Sequence, residues 1–271
     1  MAITTLDGVF AGLQPPQPFA KAVSATPVAG RPQILDVLGG FPGAFTQSTS
    51  LNGANVVNSS LSAGVNAIPR VDPGSGNAYL ANFVAACTVP GTMLLIDKLW
   101  SNGGFTITAT TNQTFTQPTL PARDINGATA GAGVFYGLEV SAAAGAASPT
   151  LTLGYTNSAG TTGRTATNLD ATSTSPTAGA FYRFGLQAGD VGIQLATGLT
   201  LSASWVSGTI NLVAYRVLAT LCLPVAGVPN AIDALTGGGT RIYNGTAPYL
   251  LYIPSTATAF SLSGQYIETQ G

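Results

Sequence analysis

Histidine is absent from this 271-residue chain, and charge is scarce. Nine Lys and Arg stand against ten Asp and Glu, and together they make up 7% of the chain, where soluble domains carry about 25%. The missing histidine excludes Ser-His-Asp and Cys-His nucleophilic sites and histidine-ligated zinc. The scattered cations form no basic stripe that would hold a nucleic acid backbone, so no nucleic-acid partner is expected. Cysteine is limited to Cys87 and Cys222, far apart in the chain. Both read as small buried hydrophobes, and two are too few for a disulfide framework. Glutamate occurs only as Glu139 and Glu268, and the aspartates are dispersed. A glycosidase needs two carboxylates facing one cleft. An Asp97–Glu139 pair across neighbouring strands is the one arrangement the sequence leaves open, and ion-paired or solvated carboxylates are far commoner. Asp124, Asn126 and Gly127 start like a calcium loop, but Ala128 stands where the next oxygen ligand belongs. Residues 237–240 (GGGT) lack the lysine of a phosphate loop. The expectation is a protein that is not an enzyme and takes no metal and no cofactor.

Long apolar runs are missing too. Residues 79–96 are the most apolar stretch, broken by Asn82, Pro90 and Gly91, whereas a membrane span needs roughly 20 mostly apolar residues. Residues 1–7 have neither the basic start nor the apolar run of a secretory signal. No membrane partner is expected, and a cytosolic or particle-bound location follows.

What is present is apolar: 45% of residues are hydrophobic. A chain so rich in apolar residues is not disordered. One with so few charges is expected to cover much of its surface against partners, as a homo-oligomer, most simply a homotrimer. Period-two alternation is clearest over residues 105–117, with Phe105, Ile107, Ala109 and Phe115 on one parity and threonines on the other. With the apolar run 93–96 and the turn chemistry of 101–104 (SNGG), this predicts a β-hairpin around which the chain packs. Further strands are predicted over 79–88, where poor alternation leaves a helix as the alternative, and over 134–140, 150–156, 180–184, 191–195, 199–205, 209–218, 248–253 and 260–267. Strands at this spacing with glycine turns predict an all-β, antiparallel β-sandwich, of jelly-roll type from about 91 to 222.

Three regions are expected: an extended arm and linker over 1–75, the sandwich over 76–222, and a C-terminal β region over 223–271. In the arm, residues 14–18 (QPPQP) and 30–32 (GRP) favour extended backbone. Residues 34–40 (ILDVLGG) read as a short helix closed by glycine, and residues 230–235 as an asparagine-capped turn. Residues 46–76 are rich in Ser, Asn and Gly, and residues 71–76 (VDPGSG) read as a strong turn. The arm's apolar residues require a surface to lie on. Phe10, Leu13, Phe19, Phe41 and Phe45 are the candidate contacts with a neighbouring subunit or shell, the alternative being that the segment adds strands to its own core.

Residues 91–100 (GTMLLIDKLW), 120–127 (LPARDING), 137–140 (GLEV), 155–160 (YTNSAG), 185–190 (GLQAGD), 208–216 (GTINLVAYR) and 12–16 (GLQPP) carry a family resemblance. The chain resembles virion structural proteins of tailed bacteriophages, most densely over 91–253. Such proteins look like head decoration, or cement, proteins: β-rich, often trimeric and seated between capsomers. The resemblance implies the major capsid protein as partner, the virion head surface as location after synthesis in the host cytoplasm, and no catalytic residues. The alternative expectation is a tail- or head-fibre module that recognises host glycan through aromatics near turns, such as Trp100, Trp205, Tyr243 and Tyr249.

Overall fold

The computed structural model describes residues 5–58, 66–73, 76–236 and 239–271. The turn read at 71–76, the glycine run at 237–240 and the Ser/Asn/Gly-rich stretch 46–76 lie partly outside these residues. Among the described residues the chain has one short helix, α1 (Leu6–Ala11), then β1 (Gln17–Val23), β2 (Gln33–Ile34), β3 (Gly40–Phe41), β4 (Ala54–Asn55), β5 (Ala78–Cys87) and β6 (Gly91–Asn102). There follow β7 (Gln113–Thr114), β8 (Val134–Ala142), β9 (Leu151–Asn157), β10 (Arg164–Asn168), β11 (Phe181–Gly185) and β12 (Ile193–Leu201). The chain closes with β13 (Thr209–Leu223), β14 (Asn230–Asp233), β15 (Arg241–Ile242), β16 (Pro248–Pro254) and β17 (Phe260–Gln270). No helix among the described residues is long and apolar enough to cross a membrane.

The protein is an all-β antiparallel sandwich. A small sheet runs β14-β5-β17-β1-β3, with β15 also on β5. A large sheet runs β2-β16-β6-β13-β8-β11-β10-β9-β12-β7, with β4 on β6. The jelly-roll label is finer than this pairing carries: β6 to β13 lie on one continuous hydrogen-bonded path. The long strands β6 and β13 join two cores. Ile210, Leu212 and Ala214 of β13 pack in a first core with Trp100, Tyr136, Leu153 and Trp205, under the distal half of the large sheet. Leu221 and Leu223, farther along, pack in a second core with Phe19, Phe83, Met93, Leu95 and Tyr266, against the small sheet. The parity of β13 changes at the register shift between Val217 and Ala219, where Leu218 is the extra residue; the other shift, between Ala214 and Tyr215, leaves the extra residue, Leu99, on β6. A bulge inserts a residue and turns the following side chains to the other face.

The opposite face of the large sheet, with Ile96, Val213, Tyr215, Tyr249 and Leu251, forms a third core. The N-terminal segment covers it. Ile34, Val56 and Ala67 pack there, and backbone bonds Leu35 N–H to Leu250 O (3.0 Å), Val56 N–H to Leu99 O (2.9 Å) and Ile68 N–H to Pro248 O (2.9 Å) fasten the segment. The arm therefore lies on its own chain. The boundaries expected at 75 and 222 separate nothing in this fold, because β1 sits beside β17 in the small sheet and β16 beside β6 in the large one.

Three local expectations change. Residues 105–117 do not form the second arm of a hairpin, since β16 and β13 occupy both sides of β6 and only Gln113–Thr114 pairs, with β12. The burial alternation persists nonetheless: Phe105, Ile107, Ala109 and Phe115 turn inward and the threonines outward. Phe115 stacks on Trp100 at 5.8 Å and Phe105 meets Phe115 edge-on, so the segment closes the end of the first core as an irregular loop. Residues 34–40 form no helix, because Ile34 pairs with Leu251 in β16 and fixes extended backbone there. Residues 230–233 are a strand on β5 rather than a turn.

Candidate functional site

With so few charges, the position of each one is informative. Thirteen of the nineteen charged residues are in ion pairs within the chain. Nine of these form three networks that are buried apart from the Asp72 side chain, which is 33% exposed.

The first network lies between the large sheet and the N-terminal segment. Lys98 of β6 shares a face with Leu94 and Ile96, and Glu139 of β8 points to that same face two strands away, by alternation along each strand. Asp36 arrives from the loop after β2. Lys98 Nζ contacts Asp36 Oδ2 directly and lies 3.3 Å from Glu139 Oε2, and all three side chains are fully buried. Gln47 Nε2 donates to Glu139 Oε1 at 2.6 Å and Asn211 Nδ2 donates to the same oxygen at 3.1 Å. The ammonium also faces the Phe45 ring at 4.3 Å and the Tyr249 ring at 5.0 Å, a favourable cation–π setting once water is excluded. Burial pulls the Lys98 ammonium down, but Asp36 and Glu139 outweigh it and hold it above its ordinary value. Burial, then the Asp36 charge, push the Glu139 carboxyl up to about 7, against the opposing pull of Lys98 and Asn211.

Glu139 supplies a pH test. Its folded value lies above its ordinary 4.5, so between about pH 4.5 and 7 the folded state holds a proton that the unfolded chain releases. Unfolding free energy should therefore fall as pH rises through that window, by about 3 kcal/mol. Glu268, also raised by burial, acts in the same direction. The Lys98 contribution is constant there, because it is lost only at alkaline pH. Denaturant unfolding at the two ends of the window should show the decline, and Glu139→Gln should remove most of it. A flat wild-type profile refutes the assignment.

The second network lies on the other face of β6, between the first and second cores. Asp97 is 3.5 Å from Arg123 Nε and 4.0 Å from Arg216 Nη2. It also accepts from the Ala247 amide at 2.9 Å and Thr246 Oγ1 at 3.3 Å. In the third, Arg70 binds Glu268 through Nε at 2.6 Å and Nη2 at 3.1 Å, and contacts Asp72. Asp97 and Glu139 thus belong to separate ion networks and face no cleft. Asp124 Oδ1 accepts from the Asn126 and Ala128 amides, both at 2.8 Å, and Oδ2 from Ala132 at 3.2 Å. Its oxygens shape a loop and are taken up by backbone, the opposite of an open calcium ligand. No group of three or more carboxylate or thiol side chains among the described residues is arranged to hold a metal ion.

The expected contact residues divide. Phe19 is 2% exposed and Phe45 packs edge-on against Tyr249 at 5.8 Å. A Cβ added at Gly264 would lie 2.5 Å from Phe19 Cζ, so that ring fills the space above a glycine of β17. Phe19 is therefore part of this chain's second core and is unavailable to a neighbour, and Phe45, half-buried, packs against the third core. Phe10, Leu13 and Phe41 remain 62%, 42% and 49% exposed, all on the margin of the small sheet: α1 packs on β17, Leu13 bridges Thr269 and Phe41 pairs with Ala20. The outer face of that sheet carries an open groove of about 710 Å³ floored by Ala20, Ala22, Ala86, Thr88, Ser261 and Ser263. No carboxylate lines it, and the Lys21 amine on its lining donates to the Leu38 carbonyl at 2.9 Å and the Gly43 carbonyl at 3.2 Å. Of the aromatics expected near turns, Trp100, Trp205 and Tyr249 are buried, whereas Tyr243 is half-buried with the Arg216 and Arg241 guanidinium groups 5.0 and 5.2 Å from its ring. Cys87 is buried as expected, whereas Cys222 is exposed, and both are free thiols.

Sequence reasoning missed all three ion networks. Their partners lie 62 positions apart for Lys98 and Asp36, and 198 for Arg70 and Glu268. The one available signal was the acidic and basic residues embedded in otherwise apolar strands, as at Asp97-Lys98 within residues 91–100. Compared with protein-family models, with curated proteins and with solved structures, the chain matches none.

Proposed function

We propose that this protein is a non-catalytic structural subunit of a phage virion that binds the outer surface of an icosahedral head and stabilises it by bridging capsid subunits. The observation that carries this reading is the placement of charge: the chain directs most of its few charges inward or into pairs and leaves an exterior of Ala, Ser, Thr, Gly and exposed apolar side chains. A monomer in solution gains colloidal stability from surface charge. A surface with little of it suits a subunit whose faces lie against neighbours, where many modest contacts repeated by symmetry add up. The resemblance over residues 91–253 points to the same setting. The buried networks and the N-terminal segment laid across the large sheet favour a rigid body that resists pulling.

The contact residues under this reading are Phe10, Leu13 and Phe41. Purified protein added to heads that lack it should restore their resistance to heat or osmotic shock. The Phe10→Ser, Leu13→Ser, Phe41→Ser triple variant should remain folded and lose at least about tenfold in occupancy, since burial of each large apolar side chain is worth roughly 1.5–3 kcal/mol before ordering costs. Normal occupancy by the triple variant, or no binding by the wild type, overturns the proposal. Sedimentation should show a trimer. A stable monomer at micromolar concentration counts against the oligomer.

A further inference from the structure

The Lys98 site has a geometry that an ion pair does not require. An amine, the carboxyl group it touches and a second carboxyl group 3.3 Å from the same nitrogen are sealed among Phe45, Tyr249 and the third core. Glu139 is held by Gln47 and Asn211 through Oε1 alone, which leaves Oε2 to the amine. Asp36 has no such support: its Oδ1 is buried without a hydrogen-bond partner. A bare carboxylate oxygen in a dry site is costly.

We propose that Lys98 Nζ and Asp36 Cγ become joined by an amide, an intramolecular isopeptide bond formed by the folded protein itself, with Glu139 as the catalytic acid–base. The ammonium first passes one proton to the Asp36 carboxylate, giving a neutral amine and a neutral acid, the pair that apolar surroundings favour. The nitrogen lone pair attacks Cγ, the N–C bond forms, and the carbonyl π electrons move onto oxygen. Glu139 takes a proton from the now positive nitrogen and delivers it to the Asp36 hydroxyl. The carbonyl re-forms as the C–O bond breaks and water leaves. The net change is ammonium plus carboxylate to amide plus water, with Glu139 a carboxylate at both ends and no oxidant or activating cofactor involved. Fixed contact between amine and acid replaces a bimolecular encounter, an effect worth effective molarities on the order of 10⁵ M or more, and exclusion of water protects the product from hydrolysis.

The bond would fasten the N-terminal segment covalently to β6. It goes beyond the virion reading and is independent of it, because its test needs no partner. The intact wild-type chain, denatured and weighed by mass spectrometry, should be lighter than its sequence by one water. Trypsin should fail to cut after Lys98, and the peptide spanning residues 22–70 should remain joined to the one spanning 71–123 although the chain is cut after Arg70. The full sequence mass, or a water deficit that maps to other residues, overturns the proposal. Asp36→Ala and Lys98→Arg should both show the full mass expected of their sequences. Glu139→Gln should form the bond at least about a hundredfold more slowly. Linkage at the wild-type rate in that variant would strip Glu139 of its role. The wild-type mass decides the bond itself even where a variant fails to fold.

Discussion

Deleting residues 1–45 should leave no folded protein. The deletion removes β1 from between β17 and β3 and takes Phe19, Val23 and Leu35 from the second core and Ile34 from the third. Losing one such side chain to alanine costs roughly 2–5 kcal/mol, so four together approach or exceed the whole stability of a domain, roughly 5–15 kcal/mol. The deletion also strips Lys98 of Asp36 and exposes the hydrogen-bonding edge of β17. Circular dichroism and limited proteolysis should show loss of the cooperative transition. Removing residues 1–11 alone should preserve it, because α1 contributes no buried residue. A cooperatively folded product from the longer deletion would mean that the segment is the detachable arm the sequence suggests.

Asp97→Ala should be the most damaging single substitution outside the apolar cores. It leaves Arg123 and Arg216 in the interior without a counter-ion and frees the Ala247 amide and Thr246 hydroxyl. Burial already draws the Arg216 guanidinium below its ordinary value, with Asp97 the largest opposing influence. Breaking a buried pair from one side costs about 3–5 kcal/mol, and for a chain of this size that lowers the melting temperature by about 6–20 °C. Asp97→Asn keeps the amide contact and should fall between the two. Asp7→Ala, on the exposed first turn of α1, should leave the melting temperature unchanged. Calorimetry of the three variants decides it, and an unaltered Asp97→Ala melt would show that the network carries no stability.

Alternation and turn residues made β8, β9, β16 and β17 readable, because period-two burial is a local property of strand backbone. The same signal over residues 105–117 reported burial correctly and pairing wrongly. Alternation records which side chains face inward, whereas pairing depends on which edges of β6 are vacant, and β13 and β16, more than a hundred residues later, occupy them. Residues 34–40 have helix-compatible composition, but pairing with β16 outweighs a local preference of a few tenths of a kcal/mol per residue. Phe19 and Phe41 look equivalent in sequence. A glycine at 264 makes room for the first ring, and β3 leaves the second in solvent.

Composition and periodicity determined the class of this protein: strands rather than helices, no histidine chemistry, and very few charges to place. These follow from residue types and nearest neighbours and need no coordinates. Only the tertiary structure decided that the N-terminal segment lies on its own sheet and that Lys98, Asp36 and Glu139 share one dry site. A charge in a strand has no preferred partner until the chain closes. The loops that bring residues 36 and 139 to residue 98 are long, and their closure entropy varies only slowly with length, so sequence separation carries almost no information about which carboxylates an ammonium will meet.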